Sequence, residues 1–344
     1  MNSNLQRAKK AKQDEFYTQL TDIEKELKHY REYFKGKNVF CNCDDPSISG
    51  FFHYFSYNFE YLGLKKLITT CYKNQQMNLF SKRDIEKAIY LEYEGTKNDG
   101  NVPALEDIGI KPLKGNGDFR SEECIEILKG ADVVVTNPPF SLFREYLAQL
   151  IKYEKKFLIV GHMNALTYKE IFPLIKNNKI WLGTNNNQSF VFGSPYKNTL
   201  ENNKKFCKQK GYNGDKYIKV PGINWYTNLL HKKRNKKLTL FENYYGHEEN
   251  YPKYDNYDAI EVSRVVNIPG DFNGVMGVPI TFLDKHNPEQ FEIIWQAAGN
   301  TRATAPKEIL DRLNYQQHIE DRGGCAIIKG KRTYARILIK RKIM

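Results

Sequence analysis

Residues 132–140, Asp-Val-Val-Val-Thr-Asn-Pro-Pro-Phe, join an apolar run to a polar terminus fixed by two prolines. A strand over Ala131 to Thr136 would deliver Asn137 to the C-terminal edge of a sheet, where open α/β folds place ligands. Pro138 and Pro139 then fix the backbone and remove two N–H donors. What remains is a set of acceptors, the Asn137 side-chain oxygen and the Pro138 carbonyl, beside the Phe140 ring. Such a set suits a planar amino group that donates two hydrogen bonds while its ring stacks on Phe140. The exocyclic amine of adenine is a poor nucleophile because its lone pair is delocalised into the ring. Two acceptors on its hydrogens push the nitrogen toward tetrahedral geometry and free that lone pair for an electrophilic methyl, with no strong general base. The plain alternative is a proline-fixed turn with an incidental aromatic.

The surrounding pattern supplies the elements that must position this turn. Ile23, Leu27, Tyr30 and Phe34 recur at helical spacing and predict a helix over Thr21–Phe34, with Thr21 as cap, Glu24 three residues on and Gly36 as its end. Strands are expected at Lys37–Cys41, Lys66–Tyr72, Ala131–Thr136 and Phe157–Gly161. Helices are expected at Phe51–Tyr57, around Ile85–Tyr93, at Glu122–Lys129 and at Phe143–Leu150. Buried strands alternating with helices indicate an α/β class with a parallel sheet covered on both faces. Beyond about Trp181 the texture changes to short aromatic or β-branched runs, Ser189–Phe192, Ile223–Thr227, Phe291–Trp295 and Tyr334–Ile339, separated by Gly, Asn and Pro. These predict mixed, largely antiparallel strands with long loops. The reading divides the chain into residues 1–180 and 181–344, the second region returning strands to the first sheet.

Composition bounds the rest. The 344 residues carry 53 Lys+Arg against 40 Asp+Glu, a formal charge of +13. The excess is clustered: Lys204, Lys205, Lys208 and Lys210, then Lys232, Lys233, Arg234 and Lys236, then Lys329, Lys331, Arg332, Arg336 and Lys340–Lys342. A phosphate-tracking surface needs such clustering; solvated faces of a lysine-rich chain are the alternative. No run approaches the ~18 apolar residues of a membrane helix, and the basic N-terminus lacks the apolar stretch of a signal peptide. A cytoplasmic, membrane-free location is expected. The six cysteines include only one close pair, Cys41 and Cys43, which is not zinc spacing, so reduced cysteines and no metal are expected. Trp225 and Tyr226 read as core, and a lone His162 near Asn164 as structural more often than as a contact.

Residue by residue, Asn137-Pro138-Pro139-Phe140 resembles the catalytic motif of S-adenosylmethionine-dependent amino-methyltransferases. Gly117-Asp118-Phe119 resembles that group's cofactor-adenine motif, and Asp14-Glu15-Phe16-Tyr17-Thr18 its N-terminal motif. Asn42-Cys43-Asp44-Asp45-Pro46 stands where a glycine-rich loop is usual, and the second strand lacks the acid that normally takes the cofactor ribose. With that divergent loop, and with the stretches at 157–165, 223–229 and 274–282, most of the chain resembles the EcoRI-type adenine-specific DNA methyltransferases. The resemblance implies a Rossmann-like methyltransferase sheet followed by a strand-rich target-recognition region. It implies Asn137, Pro138, Pro139 and Phe140 as catalytic residues, with Phe16, Tyr17, Thr18, Asp118 and Phe119 holding S-adenosylmethionine. In the divergent loop, where the resemblance gives no contact, Asn42, Asp44 and Asp45 are the candidates for holding that cofactor, a solvated turn being the alternative. Double-stranded DNA is the implied substrate, its adenine flipped from the stack, with a monomeric enzyme and a cognate restriction endonuclease acting separately. RNA-base and protein-glutamine methyltransferases share the four-residue motif, and an inactive DNA-binding relative stays open too.

Overall fold

In the computed structural model, residues 16–72, 88–95, 108–194 and 197–342 are described. The predicted Asp14 and Glu15 and the first residues of the 85–93 segment lie outside them. The chain divides into two units, 1–163 with 182–230, and 164–181 with 231–344. The division differs from a single break near 180 because residues 182–230 return to the first unit, as strand pairing requires.

The first unit is built on a nine-stranded sheet in the order β4-β3-β2-β1-β5-β6-β9-β7, with β8 also on β9. Its strands are β1 (Asn38–Asn42), β2 (Lys66–Cys71), β3 (Ile89–Tyr93), β4 (Lys111–Pro112), β5 (Val133–Thr136), β6 (Lys156–His162), β7 (Trp181–Leu182), β8 (Gln188–Gly193) and β9 (Tyr217–Thr227). β2, β1, β5 and β6 are mutually parallel; β3 and β9 run antiparallel to them on the two flanks, and β8 is antiparallel to β9. Val133 and Val135 pack into one core cluster while Val134 is fully buried between them. Both sheet faces are covered, which explains the unbroken apolar run. From β1 the chain moves to β2 on one side and later to β5 on the other. The β1/β5 junction is therefore the switch point at which such sheets bind ligands.

Local chemistry sets the helices. α1 (Leu20–Leu27) starts one residue before the expected cap: Gln19 is its N-cap without a side-chain bond, and Thr21 lies inside the first turn. It ends at Leu27, and a 3-10 turn at Arg31–Tyr33 carries the rest of the predicted helix. α2 (Gly50–Tyr57) is capped by Ser49, whose hydroxyl accepts from Phe51 N and Phe52 N. α3 (Phe59–Leu62) follows it. α4 (Glu122–Gly130) is capped by Ser121, and α5 (Phe143–Lys152) follows the proline turn. α6 (Glu201–Gln209) carries the first lysine cluster. The described part of the predicted helix at 85–93 is instead strand β3, whose residues alternate buried and half-buried against β2. A period of two governs there.

The second unit holds a four-stranded sheet, β10 (Ile260–Glu261), β11 (Met276–Pro279), β15 (Arg336–Arg341) and β12 (Phe291–Ala297), in the order β10-β11-β15-β12. Ile337, Leu338 and Ile339 are fully buried at its centre. A separate hairpin joins β13 (Ile327–Ile328) to β14 (Lys331–Arg332). No helix among the described residues is long and apolar enough to cross a membrane, and no three-residue metal-ligating cluster occurs among them.

Candidate active site

β5 ends at Thr136, and the prolines carry the chain into a short 3-10 turn whose Leu142 N–H bonds the Pro139 carbonyl at 3.0 Å. Asn137 is buried at this end. Its amide nitrogen donates to the Phe16 carbonyl at 2.5 Å, which fixes the orientation of the amide. The opposite atom, Oδ1, is buried and has no hydrogen-bond partner. A buried acceptor without a donor is costly, and a ligand or a water can supply the donor here. Pro138 is buried and Pro139 half-buried beside it.

The N-terminal motif is strapped across this turn. Tyr17 pairs with Gly193 at the end of β8, with N–H to carbonyl distances of 2.8 and 3.0 Å in the two directions. The Phe16 ring sits 5.6 Å from both Phe140 and Phe192, and Phe140 stands edge-on to Phe192 at 6.2 Å. Phe140 is half-buried and keeps part of its surface for a further ring. The Thr18 hydroxyl is buried without a partner. Gly50 is required behind it, since a β-carbon there would lie 2.5 Å from the Thr18 carbonyl oxygen.

The loop after β1 meets the same strand end. The Thr136 hydroxyl lies between the Asn42 carbonyl and the Asp44 carboxyl, the latter at 3.0 Å. Asn42 Oδ1 accepts from the Thr70 hydroxyl at 2.9 Å and from Cys43 N at 2.8 Å, so a side chain shapes a turn in which Cys43 adopts φ +64°. Asp45 accepts from Ser47 N at 2.9 Å and Ser47 Oγ at 2.6 Å, building the turn into α2. Asn42 and Asp45 thus have internal partners, whereas burial pushes the Asp44 carboxyl up to about 7, against hydrogen bonds from Ser49 and Thr136.

Gly117, at φ +75°, leaves its α-carbon so close to the end of β2 that a β-carbon would meet the Cys71 carbonyl oxygen at 2.3 Å. The following Asp118 is gripped by Arg120 at 2.7–2.9 Å, and that guanidinium holds its carboxyl below the usual range. Phe119 is buried edge-on against Tyr146 at 5.0 Å. The Tyr146 hydroxyl is itself buried without a partner. The structure brings Phe16, Asn137 and Phe140 together, and Asn42 and Asp44 with Thr136. It engages Asp118 with Arg120.

The predicted phosphate contacts separate into three kinds. Lys205, Lys208 and Lys210 on and after α6, and Lys232 and Lys236, are exposed. Lys204 bridges Glu201 and Asp215, and Lys233 pairs with Asp284. Arg234 is a correction: it is buried, donates to the His286 carbonyl and to Asn178 Oδ1, and lies over Trp181. A guanidinium committed in this way is structural. Trp225 and Tyr226 are fully buried core, as expected. Sequence reasoning missed Phe192, Gly193, Gly50 and Tyr146. Only the strand-like run at 189–192 hinted at the first two, with no signal for its pairing to residue 17.

The sequence model of the family described as "Adenine-specific methyltransferase EcoRI" matches residues 4–342. The chain is 48% identical to the Type II methyltransferase M.EcoRI of Escherichia coli, over 99% of this chain and 97% of that protein. It is 41% identical to the Type II methyltransferase M.MgeORF184P of Mycoplasma genitalium, over 98% of both chains. It is 40% identical to the Type II methyltransferase M.MpnI of Mycoplasma pneumoniae, over 98% of this chain and 97% of that one. No solved structure matches at a significant level. A buried, oriented and partnerless Asn137 oxygen at the sheet's switch point and a family match along nearly the whole length lead to one conclusion: the chain belongs to the EcoRI-type family of adenine-specific methyltransferases.

Proposed function

We propose that the chain methylates N6 of an adenine extruded from a specific duplex DNA sequence, with Asn137 Oδ1 and the Pro138 carbonyl accepting the two amine hydrogens. The observation that carries this reading is the Asn137 amide: its nitrogen is spent on Phe16, and its oxygen is buried with nothing to accept. Phe140 stacks on the extruded base, backed by Phe16 and Phe192. The residues suit S-adenosylmethionine: the Thr18 hydroxyl is buried without a partner, and the buried Asp44 carboxyl stands at the same strand end. When bound, that group supplies an electrophilic methyl on a sulfonium. Phe16 to Thr18, Asp44 and the Asp118–Phe119 turn would hold it, with Asn42 and Asp45 shaping the loop they share with Asp44.

Exposed Lys205, Lys208, Lys210, Lys232 and Lys236 serve phosphate contact. The 1–180 region is the catalytic domain in this reading, and 181–344 holds the target-recognition surface while lending β8 and β9 to the catalytic sheet. The enzyme acts as a monomer, and any cognate restriction endonuclease is a separate chain. The test is product identity. Labelled methyl groups offered with duplex DNA, RNA and protein should appear in DNA alone, as N6-methyladenine after digestion to nucleosides. Label in cytosine, RNA or glutamine would overturn the reading, as would a chain that binds duplex DNA without turnover.

A further inference from the structure

The β13–β14 hairpin carries Lys329, Lys331 and Arg332 of the third basic cluster and takes no part in the site described above. Its loop is the two residues Lys329 and Gly330, at φ +50° and +69°. Two positive φ values in a two-residue loop define a type I′ turn, which favours Asn and Gly. Lysine at the first position is a poor conformational choice, since a β-carbon is disfavoured in the left-handed region. The turn is also held from below. Asp255 accepts from Lys329 N at 3.2 Å and Gly330 N at 2.7 Å, and its own N–H donates to the Ile327 carbonyl at 2.8 Å. Asn256 Oδ1 accepts from Ile327 N at 3.0 Å.

The result is a rigid ribbon whose apex is a cation. Lys329, Lys331 and Arg332 are all exposed; Asp255 lies under the turn, and Glu320 is 4.0 Å from Arg332. Two large apolar side chains stand in solvent next to them, Tyr334 at 88% and Ile319 at 94% exposure. Strain kept at an exposed position points to a use for the side chain. A two-stranded ribbon fits the major groove, with cations on phosphates and apolar groups on base edges.

We propose that hairpin 327–332 is a duplex-DNA contact element, with Lys329 at its apex on a phosphate and Tyr334 and Ile319 flanking the groove. The proposal rests on the DNA-methyltransferase reading and names a surface which that reading leaves unassigned. Lys329→Asn separates charge from folding, because Asn suits the turn better. The full-length variant should melt at or above the wild-type temperature. It should bind a duplex carrying the methylated site ~3–10-fold more weakly at moderate salt, with the slope of log affinity against log salt lowered by about 1. Combining it with Lys331→Asn and Arg332→Gln should lower the slope by about 3, with S-adenosylmethionine affinity held as the folding control. Unchanged affinity and slope in the folded triple variant would overturn the proposal. So would a fall in the melting temperature of Lys329→Asn, which would make the lysine a structural residue. A wild-type chain with no duplex affinity would remove the underlying reading and this one with it.

Discussion

Asp44 shows how a single side chain records its surroundings. The Thr136 hydroxyl faces both the Asn42 carbonyl and the Asp44 carboxyl but has one proton to give. If it donates to the carbonyl, a neutral Asp44 completes the pair by donating back. Burial favours that neutral form and raises the carboxyl from 3.8 to about 7; Ser49 and Thr136 oppose the shift and the neighbouring Asp45 adds to it. Cys41 and Tyr146 also face this loop, and burial pushes both of them up. The folded state therefore holds a proton that the unfolded chain releases, between pH 3.8 and about 7. Stability falls as pH rises through that window. Asp44→Asn removes the effect, so its melting temperature relative to wild type is expected to rise by about 2–4 °C between pH 5 and pH 8. Parallel melting curves for the two proteins across that range would contradict this protonation state. The sequence shows Asp44 as one of two adjacent acids, and only the packing of Thr136 and Ser49 tells it apart from Asp45.

Among the elements, the parallel strands were legible because burial on both faces leaves β1, β2, β5 and β6 as apolar runs. The β3 segment was not. Ile89-Tyr-Leu-Glu-Tyr93 is short enough to fit either period, and its pairing with β2 decided the matter. The strap over the candidate active site was equally hidden, since Tyr17 and Gly193 pair across 176 positions of sequence. α1, which begins two residues after Thr18, is tied to residues 184–185 through Glu26, which reads in sequence as one more acid on an amphipathic helix. It is fully buried and accepts from five donors: Tyr30 OH, Thr184 N, Thr184 Oγ1, Asn185 N and Asn185 Nδ2, at 2.7–2.8 Å. Gly183 must be glycine, as a β-carbon would lie 2.3 Å from the carboxylate. Glu26→Gln turns one acceptor into a donor facing donors. It is expected to cost about 2 kcal/mol or more in denaturant unfolding and to weaken S-adenosylmethionine binding, because α1 begins two residues after Thr18. Wild-type stability in this variant would show that these five hydrogen bonds do not support the fold.

Across the whole molecule, the charge of +13 and its clustering pointed to a polyanion, but charge alone could not sort binding cations from structural ones. Burial and partners did that for Arg234, committed to His286 and Asn178, and for Arg336, whose guanidinium grips Glu261 at 2.6–3.0 Å. The turn at 137–140 was legible as a turn closing a buried strand because two prolines and an aromatic after an apolar strand are a dense local signal. The assignment of residues 182–230 to the first unit was not, because it depends on which strand a distant segment joins. The central claim is that the Asn137 amide, oriented by Phe16, takes a hydrogen of the target amine. Single-turnover methyl transfer by Asn137→Ala, run beside its duplex affinity, tests this most directly. The expected result is a rate lowered about 10²–10³-fold with affinity changed by less than about threefold. Transfer at the wild-type rate, or a loss explained entirely by weaker binding, would contradict it.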